Sequence, residues 1–322
     1  MKKRVVSLSS LLLASAPALS YEAIDNDIAY LHFYGTIKAS AQFLEEQDNE
    51  YTFGDSKVGL LGRYAVTDVF SIAAGTEAQI NLDADEDKNE DDLYVSQYFL
   101  GLYTEAFGWL TFGKHSTSSD DLNGVDYSEI FGGQSNLNSV GVKGDTLKYV
   151  YANELFTLNA TYGFEAGDQN RTLSELFGQY NLADLTLIAG IGTTSTNTAT
   201  NQTDSTYFQT SAKMEMGDTN FGLTYYLQNL DNDLQPSLSV DKHAFALAGQ
   251  IAFTEGVTAY AGHELIFQDS KTKDLDGTRQ NSYVGLSLIP IEYTKLFAEL
   301  NFNSPISTKD ELNLAVGGVL SW

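Results

Sequence analysis

From Leu31 to Phe43 apolar and polar side chains alternate without a break. Leu31, Phe33, Gly35, Ile37, Ala39, Ala41 and Phe43 share one face, and His32, Tyr34, Thr36, Lys38, Ser40 and Gln42 share the other. A period of two marks a strand with one oily and one wet face. Length adds to this, because a soluble strand averages about 5 to 6 residues whereas crossing a bilayer takes about 9 to 11. The alternation returns over residues 69–81, 156–164, 220–228, 243–253, 257–267 and 293–302. It closes the chain with Leu312, Leu314, Val316, Gly318, Leu320 and Trp322 opposite Glu311, Asn313, Ala315, Gly317, Val319 and Ser321. Residues 173–180 and 207–216 also read as strands, but there either face fits the outside.

The connections fall into two kinds. Short ones lie near 67–68, 105–108, 153–154, 182–184, 217–219, 254–256 and 289–292; long polar ones lie at 44–55, 82–92, 115–144, 165–171, 194–205, 229–241, 268–280 and 303–310. Together they join sixteen strands, an even number with a short-turn side and a long-loop side, which predicts a sixteen-stranded antiparallel transmembrane β-barrel. Closure is required because no unpaired edge N–H or C=O can face hydrocarbon. Beyond residue 20 the prolines are Pro236, Pro290 and Pro305, all in connections, as a sheet of fully paired strands demands.

Composition narrows the classes further. The chain has 322 residues and no Cys, which removes a disulfide scaffold, a cysteine zinc site, an iron–sulfur cluster and a thiol nucleophile. Eighteen Lys+Arg stand against 43 Asp+Glu, a net charge of −25 that argues against nucleic acid as a partner. Mean hydropathy is −0.20, and no long apolar run follows residue 20, so a bundle of transmembrane helices is excluded. At the start, Lys2, Lys3 and Arg4 precede an apolar stretch over 5–18 and the small residues of Ala18-Leu19-Ser20. This reads as a cleavable export signal over 1–20, leaving 21–322 as a single barrel domain. Its removal takes the net charge from −25 to −28.

Several local motifs resemble the trimeric general porins of Gram-negative outer membranes. Phe33-Tyr34-Gly35-Thr36-Ile37 looks like their first strand, Ser56-Lys57-Val58-Gly59-Leu60-Leu61-Gly62 like their second, and Phe107-Gly108-Trp109-Leu110-Thr111-Phe112-Gly113-Lys114 like their fifth. Residues 145–151 followed by 156–164 resemble the family's "N-S-x-R-Y" strand and its successor. In the longest connection Tyr127-Ser128-Glu129-Ile130-Phe131-Gly132-Gly133 is similar to the family's "P-E-F-G-G", with Ile130 inserted and the proline replaced. The chain ends in Trp322 where the family usually ends in Phe. The resemblance implies a homotrimer in the outer membrane, in contact with lipid and lipopolysaccharide. Its water-filled channel would pass ions and small hydrophilic solutes passively, with a third external loop folded into the lumen and no enzymatic activity or cofactor.

A pore needs a width and a field rather than a reaction, so the informative residues are opposed lumen charges. On the loop side these are Asp120, Asp121, Asp126 and Glu129. On the wall, strand alternation turns Lys38, Lys57, Arg63 and Lys148 inward. The resemblance puts Lys57 and Lys148 at two arginine positions of the family's basic cluster and gives Gln97 for a third. The thinner basic wall and the acidic excess predict a modest cation preference. A rival reading makes inward Tyr34, Tyr226, Tyr260 and Phe297 a sugar-stacking path for oligosaccharides, and a weaker one makes the barrel an adhesin. The acidic run Asp83–Asp92 opens like a calcium loop but has Lys88 and Tyr94 where Gly and Glu are needed, so an EF-hand fails. Divalent cations shared with lipopolysaccharide or a neighbouring subunit are an alternative to a plain hydrated loop. His32, His115, His243 and His263 lack metal-ligand spacing. Near strand ends, aromatics such as Tyr64, Trp109 and Phe302 suit interfacial girdles.

Overall fold

The computed structural model describes residues 21–26, 28–80, 93–137, 140–165, 171–198, 202–306 and 308–322. The export signal assigned to 1–20 and the acidic run 83–92 lie outside the described residues. Eighteen strands follow in chain order: β1 Tyr21–Asp25, β2 Ala29–Phe43, β3 Glu50–Thr52, β4 Ser56–Thr67, β5 Phe70–Ile80, β6 Leu93–Thr104, β7 Gly108–Ser116, β8 Val142–Ala152, β9 Phe156–Gly163, β10 Arg171–Leu182, β11 Leu185–Asn197, β12 Gln202–Met216, β13 Thr219–Asn232, β14 Val240–Thr254, β15 Val257–Ser270, β16 Gly277–Leu288, β17 Thr294–Ser304 and β18 Glu311–Ser321.

Sixteen of these, β2 and β4 to β18, form a closed antiparallel barrel. Each pairs with the next, and β18 returns to β2 with Leu314 opposite Phe43 and Ser321 opposite Thr36. The short strands β1 and β3 patch the edges of β2 that its long neighbours leave free. β3 pairs with Ser40–Gln42 beyond the β4 ladder, and β1 pairs with residues 30–33 beyond the end of β18. At the seam Gly35 and Trp322 exchange both backbone hydrogen bonds, at 2.9 and 3.0 Å.

The polarity of the wall is inverted relative to a soluble domain. Along β17, Leu296, Leu300 and Phe302 are exposed, while Phe297, Glu299, Asn301 and Asn303 are buried. Apolar side chains stand outward in the same way on every side of the ring, among them Leu60, Leu100, Phe112, Leu176, Leu223, Leu247 and Leu286. A monomer in water does not expose apolar surface on that scale, whereas a barrel in lipid requires it.

The ladders run past the predicted strand ends. Asn197 pairs with Gln202, Leu230 with Val240 and Gln268 with Gly277, so the expected loops 194–205, 229–241 and 268–280 are shortened by the hairpins that carry them. Cross-strand pairs of Thr and Ser carry β11 and β12 beyond the apolar band. At the other rim the strand expected from 293 begins at Thr294, because Tyr293 adopts φ 75° and turns the chain. For residues 173–180 either face fits the outside, and the reason is packing. Leu173 and Phe177 point inward and are fully buried, but they meet a lumen cluster rather than water, while Leu176 faces out.

Candidate pore constriction

The connection from β7 to β8, residues 117–141, crosses the lumen rather than leaving the barrel. It starts with one helical turn, Ser118–Asp121, beside β9 and β10. Its apolar side chains then pack on inward-facing wall residues in three clusters: Leu122 and Val140 with Leu173, Phe177 and Tyr207; Leu137 with Tyr226, Ala244 and Ile266; Val125 and Phe131 with Tyr260, Tyr283 and Ala315. These contacts line the arc from β10 round to β18, leaving β4–β7 as the wall that faces the loop across the lumen.

A loop inside a barrel must find acceptors for its backbone N–H groups. Three mid-strand glutamates supply them. Glu175 on β10 accepts the N–H of Ser118 at 2.6 Å and of Ser119 at 3.3 Å, and the hydroxyls of Ser119 and Tyr207 at 2.5 and 2.6 Å. Glu264 on β15 accepts the N–H and hydroxyl of Ser135 at 3.0 and 2.7 Å, with Asn281 Nδ2 donating at 2.6 Å. Glu299 on β17 accepts the N–H of Glu129 and of Phe131, both at 2.8 Å, and the Ser128 hydroxyl at 2.6 Å. Charge-assisted bonds of this kind are roughly twice as strong as neutral ones.

Of the residues expected to oppose one another, several meet directly. Lys148 Nζ lies 2.5 Å from Asp121 Oδ2, both side chains almost fully enclosed, and it also donates to the Ser116 carbonyl at 2.8 Å. The pair therefore fastens the root of the loop. Glu129 pairs with Lys295 on β17 at 2.5 Å, and its carbonyl accepts from Lys38 at 2.8 Å. Lys57 faces Glu77 at 3.3 Å, a carboxylate also held by the Ser96 and Tyr34 hydroxyls. Arg63 stacks over Tyr103, 5.6 Å from the ring centroid, near the short-turn rim. Asp126 accepts the Tyr283 hydroxyl at 2.8 Å. Asp120 and Asp126 each keep an exposed edge toward the lumen and pair with no cation among the described residues. Confinement in the lumen limits their hydration and, with neighbouring carboxylates, pushes both carboxyls up to about 6.

Sequence reasoning missed Lys295, Lys213, whose Nζ donates to the Asn123 carbonyl at 3.1 Å, and the three glutamates. A carboxylate in the middle of an alternating strand, as in Ser174-Glu175-Leu176, must face inward, and that signal was present. Trp109, read as a girdle residue, instead turns inward and packs at a tilt against Tyr103 with centroids 4.4 Å apart. Tyr226, Tyr260 and Phe297 are buried, the two tyrosines packed beneath the loop rather than lining an open path. Among the described residues no cluster of His, Asp and Glu could hold a metal ion.

Comparison with known proteins adds to this geometry. A family model for Gram-negative porins matches residues 7–287. The chain is 24% identical over 182 residues to a major outer membrane protein of Pasteurella multocida, covering 52% of this chain and 53% of that protein, so it spans about half the length of the curated relatives it matches. Among solved structures, OmpT of Vibrio cholerae, an outer membrane protein, superposes with a TM-score of 0.81 at 26% identity over 93% of this chain and 99% of that one. The trimer form of the same protein folded in vitro gives 0.79 at 26% identity, over 92% of this chain and 100% of that one.

Proposed function

Because the chain belongs to the Gram-negative porin family, we propose that it forms a water-filled outer-membrane channel through which ions and small hydrophilic solutes diffuse passively. The observation that carries this reading is the inverted wall, apolar outward and polar inward, around a lumen narrowed by residues 117–141. No step of bond chemistry is assigned to it. The functional unit is a homotrimer, a reading supported by the trimer form of the Vibrio cholerae relative. Residues 1–20 act as the export signal, cleaved after Ser20.

Selectivity follows from which lumen charges are compensated. Lys57, Lys148 and Lys295 each face a carboxylate of their own, whereas Asp120 and Asp126 form no direct ion pair with a described cation. That surplus supports a cation preference, and Lys213 together with basic residues nearer the long-loop rim keeps it modest. Asp120, Asp121, Asp126 and Glu129 form the loop side of the constriction, with Lys38, Lys57, Arg63 and Lys148 on the wall. Reversal potentials across a KCl gradient in a planar bilayer test the proposal. The expected sign is cation-selective and weak; an anion-selective potential overturns the selectivity, and a purified trimer that does not conduct overturns the channel.

A further inference from the structure

Basic residues are scarce in this chain, and their placement is uneven. Lys242 is the third residue of β14 and Arg279 the third of β16. Both strands start at the rim of long connections, the exterior side of a bacterial barrel. Both residues belong to the inward set. Arg279 stands level with Ile266, which stands level with Ala244, and Lys242 is the next inward residue above Ala244. The two backbones are thus about 10 Å apart across β15, and the side chains lie close enough to repel one another.

Like charges held together are unfavourable without a counter-ion, and the described residues offer little to compensate them. Lys242 has no hydrogen bond or ion pair among them. Arg279 gives one N–H to the Gln134 side-chain oxygen, and its Nε is buried without an acceptor. The neighbouring carboxylates are occupied elsewhere: Glu264 by Ser135 and Asn281, and Asp241, on the outward face of β14, by Asn229 at 2.7 Å. Below Lys242 the wall presents only Ala244. A guanidinium fork beside an ammonium, with spare donors and an opening to the exterior mouth, suits one oxyanion.

We propose that Lys242 and Arg279 form an oxyanion-docking subsite in the exterior vestibule, which takes a carboxylate or phosphate group of a small solute before the solute meets the carboxylates of the loop. The inference rests on the channel reading and concerns which solutes linger within it. A zwitterionic solute would enter with its anionic end held here and its cationic end directed toward Asp126 and the loop.

Single-channel recording tests this with inorganic phosphate and with succinate added to one side of the bilayer. Wild-type channels are expected to show brief, concentration-dependent current interruptions by at least one of the two probes, at lower concentration from the exterior side. Lys242→Gln should weaken that binding by about tenfold or more, the loss of one charge-assisted contact, and Lys242→Arg should restore it. Lys242 makes no hydrogen bond or ion pair to the loop among the described residues, so both variants should still form open channels, with Lys242→Gln slightly more cation-selective in KCl and Lys242→Arg at the wild-type value. Interruptions that are absent with both probes, equal from the two sides, or unchanged in Lys242→Gln overturn the subsite. A wild-type protein that does not conduct at all would overturn the channel reading instead.

Discussion

At the scale of single residues, the charges enclosed most completely in the lumen are held in pairs. Lys148 and Asp121 illustrate the rule: a lysine and an aspartate enclosed together, with Ser116 and Asn159 saturating what the ion pair leaves open. Removing one member strands the other, and breaking a buried pair in this way costs about 3 to 5 kcal/mol. Lys148→Ala is therefore expected to lower the temperature at which the folded form is lost on a detergent gel. Combining Lys148→Met with Asp121→Asn should recover a large part of that loss, since neither group is then left charged and alone. The three loop-gripping glutamates differ in kind, because each also accepts backbone N–H groups, which among loop substitutions only proline removes.

At the scale of elements, large inward or seam-facing rings repeatedly lie flat over a glycine on the adjacent strand: Tyr34 over Gly59, Tyr207 over Gly192 and Tyr260 over Gly285. The glycine leaves room for the ring to fold down against the sheet, and the ring covers backbone that a glycine would leave bare. A methyl group on Gly285 would overlap the Tyr260 ring and tip it into Val125 and Phe131 of the loop. Gly285→Ala should lower stability by about 1 to 3 kcal/mol and disturb conductance. Gly178→Ala, whose added carbon would sit 3.6 Å from the Phe156 ring, should do neither; urea midpoints of the two variants make the comparison. Strands such as β2 and β17 were legible in the sequence because one face meets lipid and the other meets polar groups, and period two survives. β10 and β12 were harder to orient because the loop packs apolar side chains against their inner face, removing the contrast that alternation depends on. The short strands β1 and β3 carry no pattern of their own and exist only because β2 has edges to cover. The identity of the loop's anchors was hidden for a related reason: alternation tells which carboxylates face inward, but not which of them a distant loop will reach.

At the scale of the whole molecule, selectivity is a sum over paired and unpaired charge, and it should vary with pH. Asp120 and Asp126 hold raised carboxyl pKa values near 6 and contribute negative charge only while ionised. Lowering the pH from 7 toward 5 protonates them, so the cation preference should shrink. Reversal potentials taken at both pH values check this, and Asp126→Asn should flatten the dependence.

The ring is closed by a ladder between residues 36–43 and 314–321, with Trp322 bonded to Gly35 beyond its end. The first long strand is thus completed by one about 270 residues later, and without β18 the β2 strand lacks its second long neighbour. For this molecule, then, the seam cannot form during synthesis of the earlier strands: it waits until residues 311–321 are available to pair.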